Sequence, residues 1–245
     1  FREDLMLILA IETSTQQLSV AAVDGERLLS SYTLLAEYPH AVELPDAVTR
    51  VLKAAHSTLE QVEAIAVDIG PGSFTGLRIG LAFVKGLAFP TKKPVVGVPS
   101  LDVLAANLPF ASRLVCPLLD AKQNKVYGAL YRGEEGGLQR KTDYLLGPVE
   151  DLLSQIKEPA VFLGDGCARF RDRILERLGS DAAFAAQELW LPRAETLARL
   201  GVERLRKGQR DEAASLVPMY LYPQDASIDP RIRQAVAMGK SAASS

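Results

Sequence analysis

The chain has 245 residues, with 28 Lys and Arg against 30 Asp and Glu, a net charge of −2. A chain of this length buries roughly 70–75 % of its unfolded surface, so it can fold without disulfides or a structural metal. Two Cys and a pI near 5.8 exclude a disulfide scaffold, a four-thiolate zinc site and a protein that coats nucleic acid unaided.

The start carries acidic residues before a short apolar run and does not read as a signal peptide. Met6 reads as a native start, with residues 1–5 as an extension. No run approaches the roughly 20 apolar residues that span a bilayer, so no membrane partner is expected and the setting reads as cytoplasmic.

Residues 7–11 form an unbroken apolar run, the pattern of a strand covered on both faces. Strands follow at 18–23 and 27–34, joined at Asp24-Gly25, a tight-turn pair. Helical periodicity covers 41–55, a buried strand 64–69, and a glycine-rich loop 70–76 leads to a helix at 77–89 that Pro90 should end. A strand at 95–98 and a helix to Leu108, capped by Ser100, complete this half.

A similar order then recurs. Strands are expected at 114–119, 126–131 and 138–145, a helix at 149–156, a strand at 160–164, a helix at 167–178 and a last helix near 194–206. Glu12 ends the first strand of one half and Asp120 that of the other. Gly70-Pro71-Gly72 follows the fourth strand of one, Gly164-Asp165-Gly166 that of the other. This predicts two duplicated α/β lobes, 6–109 and 110–222, facing one cleft, with tails at 1–5 and 225–245.

Several motifs bear on chemistry. In residues 70–80, glycines at 70, 72, 76 and 80 permit close backbone approach, and the loop lies between a strand and a helix, where an anion is favoured. It matches neither the P-loop nor the dinucleotide fingerprint. Tight helix packing and ligand binding both remain open, with Ser73 or Thr75 as helix cap or phosphate ligand. Glu12-Thr13-Ser14-Thr15 is either a weak anion site or a plain strand end. The candidate anion or nucleotide residues are therefore Glu12, Thr13, Ser14, Gly70, Gly72, Ser73, Thr75, Asp120, Gly164 and Gly166.

His40 and His56 are the only histidines, and position 44 is Leu, so no helical His pair exists to hold a metal. No nucleophile elbow is present. Cys116 and Cys167 read as core residues. Arg169, Arg171, Arg173 and Arg177 read as a solvated face or a minor RNA patch.

Residues 8–14, the block 70–80, the segment 120–127 and Pro218-Met219-Tyr220-Leu221 together resemble the bacterial TsaB (YeaZ) family over about residues 6–222. The resemblance implies the two-lobe fold of the actin-like ATPase superfamily, with ribonuclease-H-like β-β-β-α-β-α-β-α lobes. It implies a subunit for making threonylcarbamoyladenosine on tRNA that binds the transferase TsaD together with the ATPase TsaE, meets tRNA through that complex, and forms a homodimer when TsaD is absent. No catalytic residue, metal or required cofactor is implied; weak ATP or ADP binding is left open. The implied interface lies on the helices 41–55 and 77–89, carrying His40, Leu44, Val48, Val51, Gly76, Arg78, Gly80, Val84 and Gly86. The competing expectation is an independent ATPase or phosphotransferase of the same fold. A metallopeptidase has no support in the residues.

Overall fold

The computed structural model describes residues 6–35, 40–135 and 137–221. The expected tails at 1–5 and 225–245 lie outside the described residues.

The first lobe is built on strands β1 (Leu7–Glu12), β2 (Gln17–Asp24), β3 (Arg27–Leu35), β4 (Ala64–Asp68) and β5 (Val95–Val98), with helices α1 (His40–Ala54), α2 (Phe74–Thr91) and α3 (Ser100–Ala105). The sheet order is β3-β2-β1-β4-β5. β1 pairs antiparallel with β2 and parallel with β4. The β2–β3 turn sits one residue later than expected, with Asp24 paired to Arg27 and Gly25 at φ 61°.

The second lobe repeats the plan. Its strands are β6 (Leu114–Asp120), β7 (Val126–Gly128), β8 (Tyr131–Glu134), β9 (Gly137–Arg140), β10 (Leu145–Gly147), β11 (Ala160–Leu163) and β12 (Ala182–Phe184). Its helices are α4 (Val149–Leu153), α5 (Gly166–Leu178) and α6 (Ala194–Arg206). The path β10-β7-β6-β11-β12 reproduces the first sheet strand for strand, with the same antiparallel and parallel neighbours. The expected strands at 126–131 and 138–145 each split, because a β8–β9 hairpin is inserted between the second and third strands. β12 was not expected; its three half-buried residues carry too short an apolar signal. α2 begins three residues early and passes through Pro90 to Thr91, where Lys92 at φ 55° ends it.

The sequential division at 109/110 does not describe the packing. α1 and α2 cover one face of the first sheet, over Leu9, Ile11, Leu18, Val20, Ile65 and Val67. Alternation of side chains leaves the other face, Ile8, Ala10, Ala21, Ala64, Ala66 and Val96, equally apolar. α6, from the far end of the chain, covers it with Ala194, Leu197, Ala198, Val202 and Leu205. α3 in turn lays Leu101, Leu104 and Ala105 against Val115, Leu119 and Ala129 of the second lobe. Each lobe thus lends its last helix to the interior of the other. The exchange buries the second face of the first sheet under α6 and packs α3 against the second lobe, which joins the two halves through shared apolar contacts.

Candidate functional site

Between the lobes, at the carboxyl ends of β1 and β6, lies a cleft of about 540 Å³. Of the expected residues, Ser14, Gly72, Ser73, Thr75 and Asp120 line it. Thr15, Gln16, His40, Phe74, Lys122, Tyr127 and Asp165 join them. Glu12, Thr13, Gly70, Gly164 and Gly166 do not reach it. They are buried behind its walls, which corrects their expected role as ligand contacts.

The glycines explain the difference. A Cβ on Gly72 would lie 2.3 Å from the Ser14 carbonyl oxygen, one on Gly76 2.1 Å from the Thr13 carbonyl oxygen, and one on Gly80 2.3 Å from Thr13 Oγ1. The block 70–80 therefore lets α2 lie directly on the end of β1. The second turn behaves alike: a Cβ on Gly164 would fall 1.9 Å from the Leu118 carbonyl oxygen, and one on Gly166 3.1 Å from it. The packing of backbone on backbone, one of the two open readings of residues 70–80, is present, while Gly72, Ser73, Thr75 and Gly76 also line the cleft.

The loop's amides are also engaged internally. Ser73 N–H donates to the Ser14 carbonyl at 2.6 Å. Gly76 N–H donates to Ser73 Oγ at 3.2 Å, so Ser73 is the cap of α2. Gly70 N–H donates to Asp68 Oδ1 at 2.6 Å. Thr13 hydroxyl donates to the Gly76 carbonyl at 2.9 Å.

Two acids in the site differ sharply. Glu12 is fully buried and accepts both the N–H and the hydroxyl of Ser14 on Oε1, each at 2.6 Å. Burial, and then the charge of Asp68, pushes its carboxyl well above the usual range. Asp120 instead sits at the cleft edge. It accepts from Lys122 N–H at 3.0 Å, and Lys122 Nζ and Arg169 Nη1 each approach its oxygens at 3.4 Å. Asp165 Oδ1 accepts Asp120 N–H at 2.9 Å, and burial raises the Asp165 carboxyl. Lys122, Gln123 and Asn124 hold φ of 62°, 48° and 62°, an uncommon run for non-glycine residues.

His40 Nε2 lies 2.9 Å from the Thr15 carbonyl oxygen, so that nitrogen is the donor and the ring is fixed against β1's end. Leu44, one turn on, is in the core. Among the described residues, no three His, Cys, Asp or Glu side chains come together in a way that holds a metal.

The expected interface residues need correction. His40, Leu44, Val48, Val51, Gly76, Gly80 and Val84 are buried within this chain, because the apolar stripe of an amphipathic helix faces its own sheet. Arg78 and Gly86 are exposed. The surface that α1 and α2 offer carries Val42, Phe74 and Phe89, 65 %, 45 % and 73 % exposed. Arg78 stacks over Phe74 at 3.8 Å, and its Nε donates to the Tyr220 hydroxyl at 3.1 Å.

Two contributors went unread in the sequence. Asp68 had a signal, an acid closing an otherwise apolar strand. Ser100 was expected as a cap; its hydroxyl instead donates to Asp68 Oδ1 at 2.5 Å, and Pro99 takes the cap position.

The chain is similar to proteins of one known family. The family model described as TsaD, tRNA N6-adenosine threonylcarbamoyltransferase, matches residues 34–229. The chain is 32 % identical to the tRNA threonylcarbamoyladenosine biosynthesis protein TsaB of Bacillus subtilis, over 88 % of this chain and 94 % of that one. It is 29 % identical to the Escherichia coli protein of the same name, again over 88 % and 94 %. The solved structure of YeaZ from Pseudomonas aeruginosa superposes with a TM-score of 0.76 at 30 % identity, covering 89 % of this chain and all of that one.

Proposed function

We propose a function from one premise: this chain belongs to the TsaB family of tRNA threonylcarbamoyladenosine biosynthesis proteins. It acts in making threonylcarbamoyladenosine on tRNA as a subunit without chemistry of its own. It binds and activates the TsaD transferase, is joined by the ATPase TsaE, and meets tRNA through that complex. A second copy occupies the same surface when TsaD is absent.

The observation that carries this reading is how the cleft's polar groups are engaged. Glu12 is turned into the core, and Asp120 is matched by Lys122 and Arg169. Amides of Gly70, Ser73 and Gly76 are bonded within the chain. Phosphoryl transfer depends on positioned charge-stabilising donors and a metal-holding acid. An ATPase of this fold would need those groups presented to the cleft, so the independent phosphotransferase finds little support. No cofactor is required in this reading, and ATP or ADP binds weakly at most. The exposed apolar residues Val42 of α1 and Phe89 of α2 support a protein partner on the outer helix layer. No helix among the described residues is long and apolar enough to cross a membrane. The cytoplasmic setting in this reading follows from the proposed role in tRNA modification.

Reconstitution tests this. TsaD, TsaE, tRNA, ATP and threonylcarbamoyl-adenylate should modify tRNA only when this chain is added, and the chain alone should do nothing. Full activity without it overturns the subunit reading. Tight Mg-ATP binding with steady hydrolysis by the chain alone would favour the phosphotransferase.

A further inference from the structure

We infer that Glu12 and Asp68 share a single proton and act as one buried latch on the glycine loop. They end the neighbouring parallel strands β1 and β4, one step beyond the paired residues Ile11 and Val67. Both are buried, 0 % and 1 % exposed. Each has one oxygen that is doubly bonded by donors. Glu12 Oε1 takes Ser14 N–H and hydroxyl, and Asp68 Oδ1 takes Gly70 N–H and the Ser100 hydroxyl. The remaining oxygens, Glu12 Oε2 and Asp68 Oδ2, are buried and reached by no N–H or O–H.

Laterally paired residues of neighbouring strands point to the same face of a sheet, so Glu12 and Asp68, each one residue beyond the Ile11–Val67 pair, stand side by side on one face. Two ionised carboxylates in such a place would repel with little solvent to screen them. A proton on one orphan oxygen lets it donate to the other, which satisfies both atoms at once. Burial raises both carboxyls, and the Asp68 charge raises Glu12 further.

The groups that face the pair supply no positive charge. Ser19 lies opposite Glu12 on β2, and Val98 opposite Asp68 on β5. On the helices packed nearby, Arg78 of α2 is turned out to Tyr220, Asp102 of α3 to Tyr131 and Tyr144, and His40 of α1 to the Thr15 carbonyl. On α6, which covers this face, Arg199 is held by Glu203 and the Ala106 carbonyl, Arg204 by the Gly97 carbonyl and Asp102, and Glu195 lines a separate pocket with Glu26 and with Arg193, which donates to the Glu188 carbonyl.

The latch has a mechanical consequence. Glu12 fixes Ser14, whose carbonyl receives Ser73 N–H, and Ser73 caps α2. Asp68 fixes Gly70, whose carbonyl receives Ser100 N–H at 2.8 Å, so it holds the start of α3 as well. Glu12 and Asp68 are thus positioning residues for the starts of two helices.

The test uses the full chain. Infrared spectroscopy at neutral pH should show a protonated-carboxyl carbonyl band that is lost in Glu12→Gln, where the amide replaces the shared proton. The unfolding constant of the wild type should rise, relative to that of Glu12→Gln, by about tenfold per pH unit above the ordinary Glu pKa of 4.5 until the raised value is passed. Asp68→Asn should flatten the profile in the same way and serves if Glu12→Gln folds poorly. Absence of the band in the wild type overturns the inference, as do parallel pH profiles. So does metal analysis that finds a stoichiometric cation whose removal destabilises the chain.

Discussion

The Tyr131 hydroxyl donates to Asp102 Oδ1 at 2.7 Å, across the junction of the two lobes. Tyr144 hydroxyl donates to the same oxygen at 2.7 Å, and Arg204 of α6 reaches Asp102 Oδ2 at 3.3 Å. One carboxylate therefore ties α3, β8 and α6 together. Burial, and then the Asp102 charge, pushes both phenols upward, so they remain donors over the whole working range.

Removing Asp102 should loosen that junction. Asp102→Ala leaves the buried Tyr131 hydroxyl without an acceptor and should destabilise the chain by about 2–3 kcal/mol. Asp102→Asn keeps an acceptor and should cost less than half as much. Urea unfolding with an unchanged m-value measures both. Equal stability of wild type and Asp102→Ala would show the junction held by apolar packing alone.

Glycines within α2 should respond in opposite ways. Gly76→Ala drives a methyl against the Thr13 carbonyl, 2.1 Å away, and should cost about 1–3 kcal/mol or more. Gly86→Ala meets nothing within 4 Å and should stabilise the helix by about 0.5–1 kcal/mol. Thermal melts of the two variants side by side decide the matter.

Association should depend on the outward residues and not on the buried ones. Phe89→Asp, Val42→Asp or Gly86→Arg should weaken binding to TsaD, and self-association, by about tenfold or more. The stability of Phe89→Asp and Val42→Asp should stay within about 0.5 kcal/mol of the wild type, and that of Gly86→Arg should be unchanged or higher. Leu44→Asp and Gly80→Arg should instead damage the fold, because both positions are buried. Light scattering beside a melting curve separates the two classes, and unaltered association of all three surface variants would move the interface elsewhere.

Both thiols should be silent in the native state. Cys116 and Cys167 are buried side chains of one cluster, and burial pushes both thiols above their ordinary range. A thiol reagent at neutral pH should label neither until denaturant is added, and then both. Rapid labelling of the folded chain would contradict the packing of α5 on β6.

Sequence alone determined the strands of the first lobe, the long helices and the repeat of topology. Continuous apolar runs and 3.6-residue periodicity are local signals, and both halves carry them. The cleft's position followed as well, since Glu12 and Asp120 end equivalent strands. Tertiary structure alone decided what those residues do. A glycine that admits a ligand and one that admits a neighbouring backbone look the same in sequence, and only the assembled fold shows Gly72 and Gly76 against the Ser14 and Thr13 carbonyls just after β1. The resemblance implies an interface on the helix at 41–55 without saying which of its faces is free, so Leu44 and Val48 read as partner contacts although they cover their own sheet. The exchange of α3 and α6 and the meeting of Glu12 with Asp68 join residues far apart in the chain. Pairings of that kind are set by which apolar faces remain to be buried and which polar atoms remain to be satisfied, and both are properties of the assembled fold.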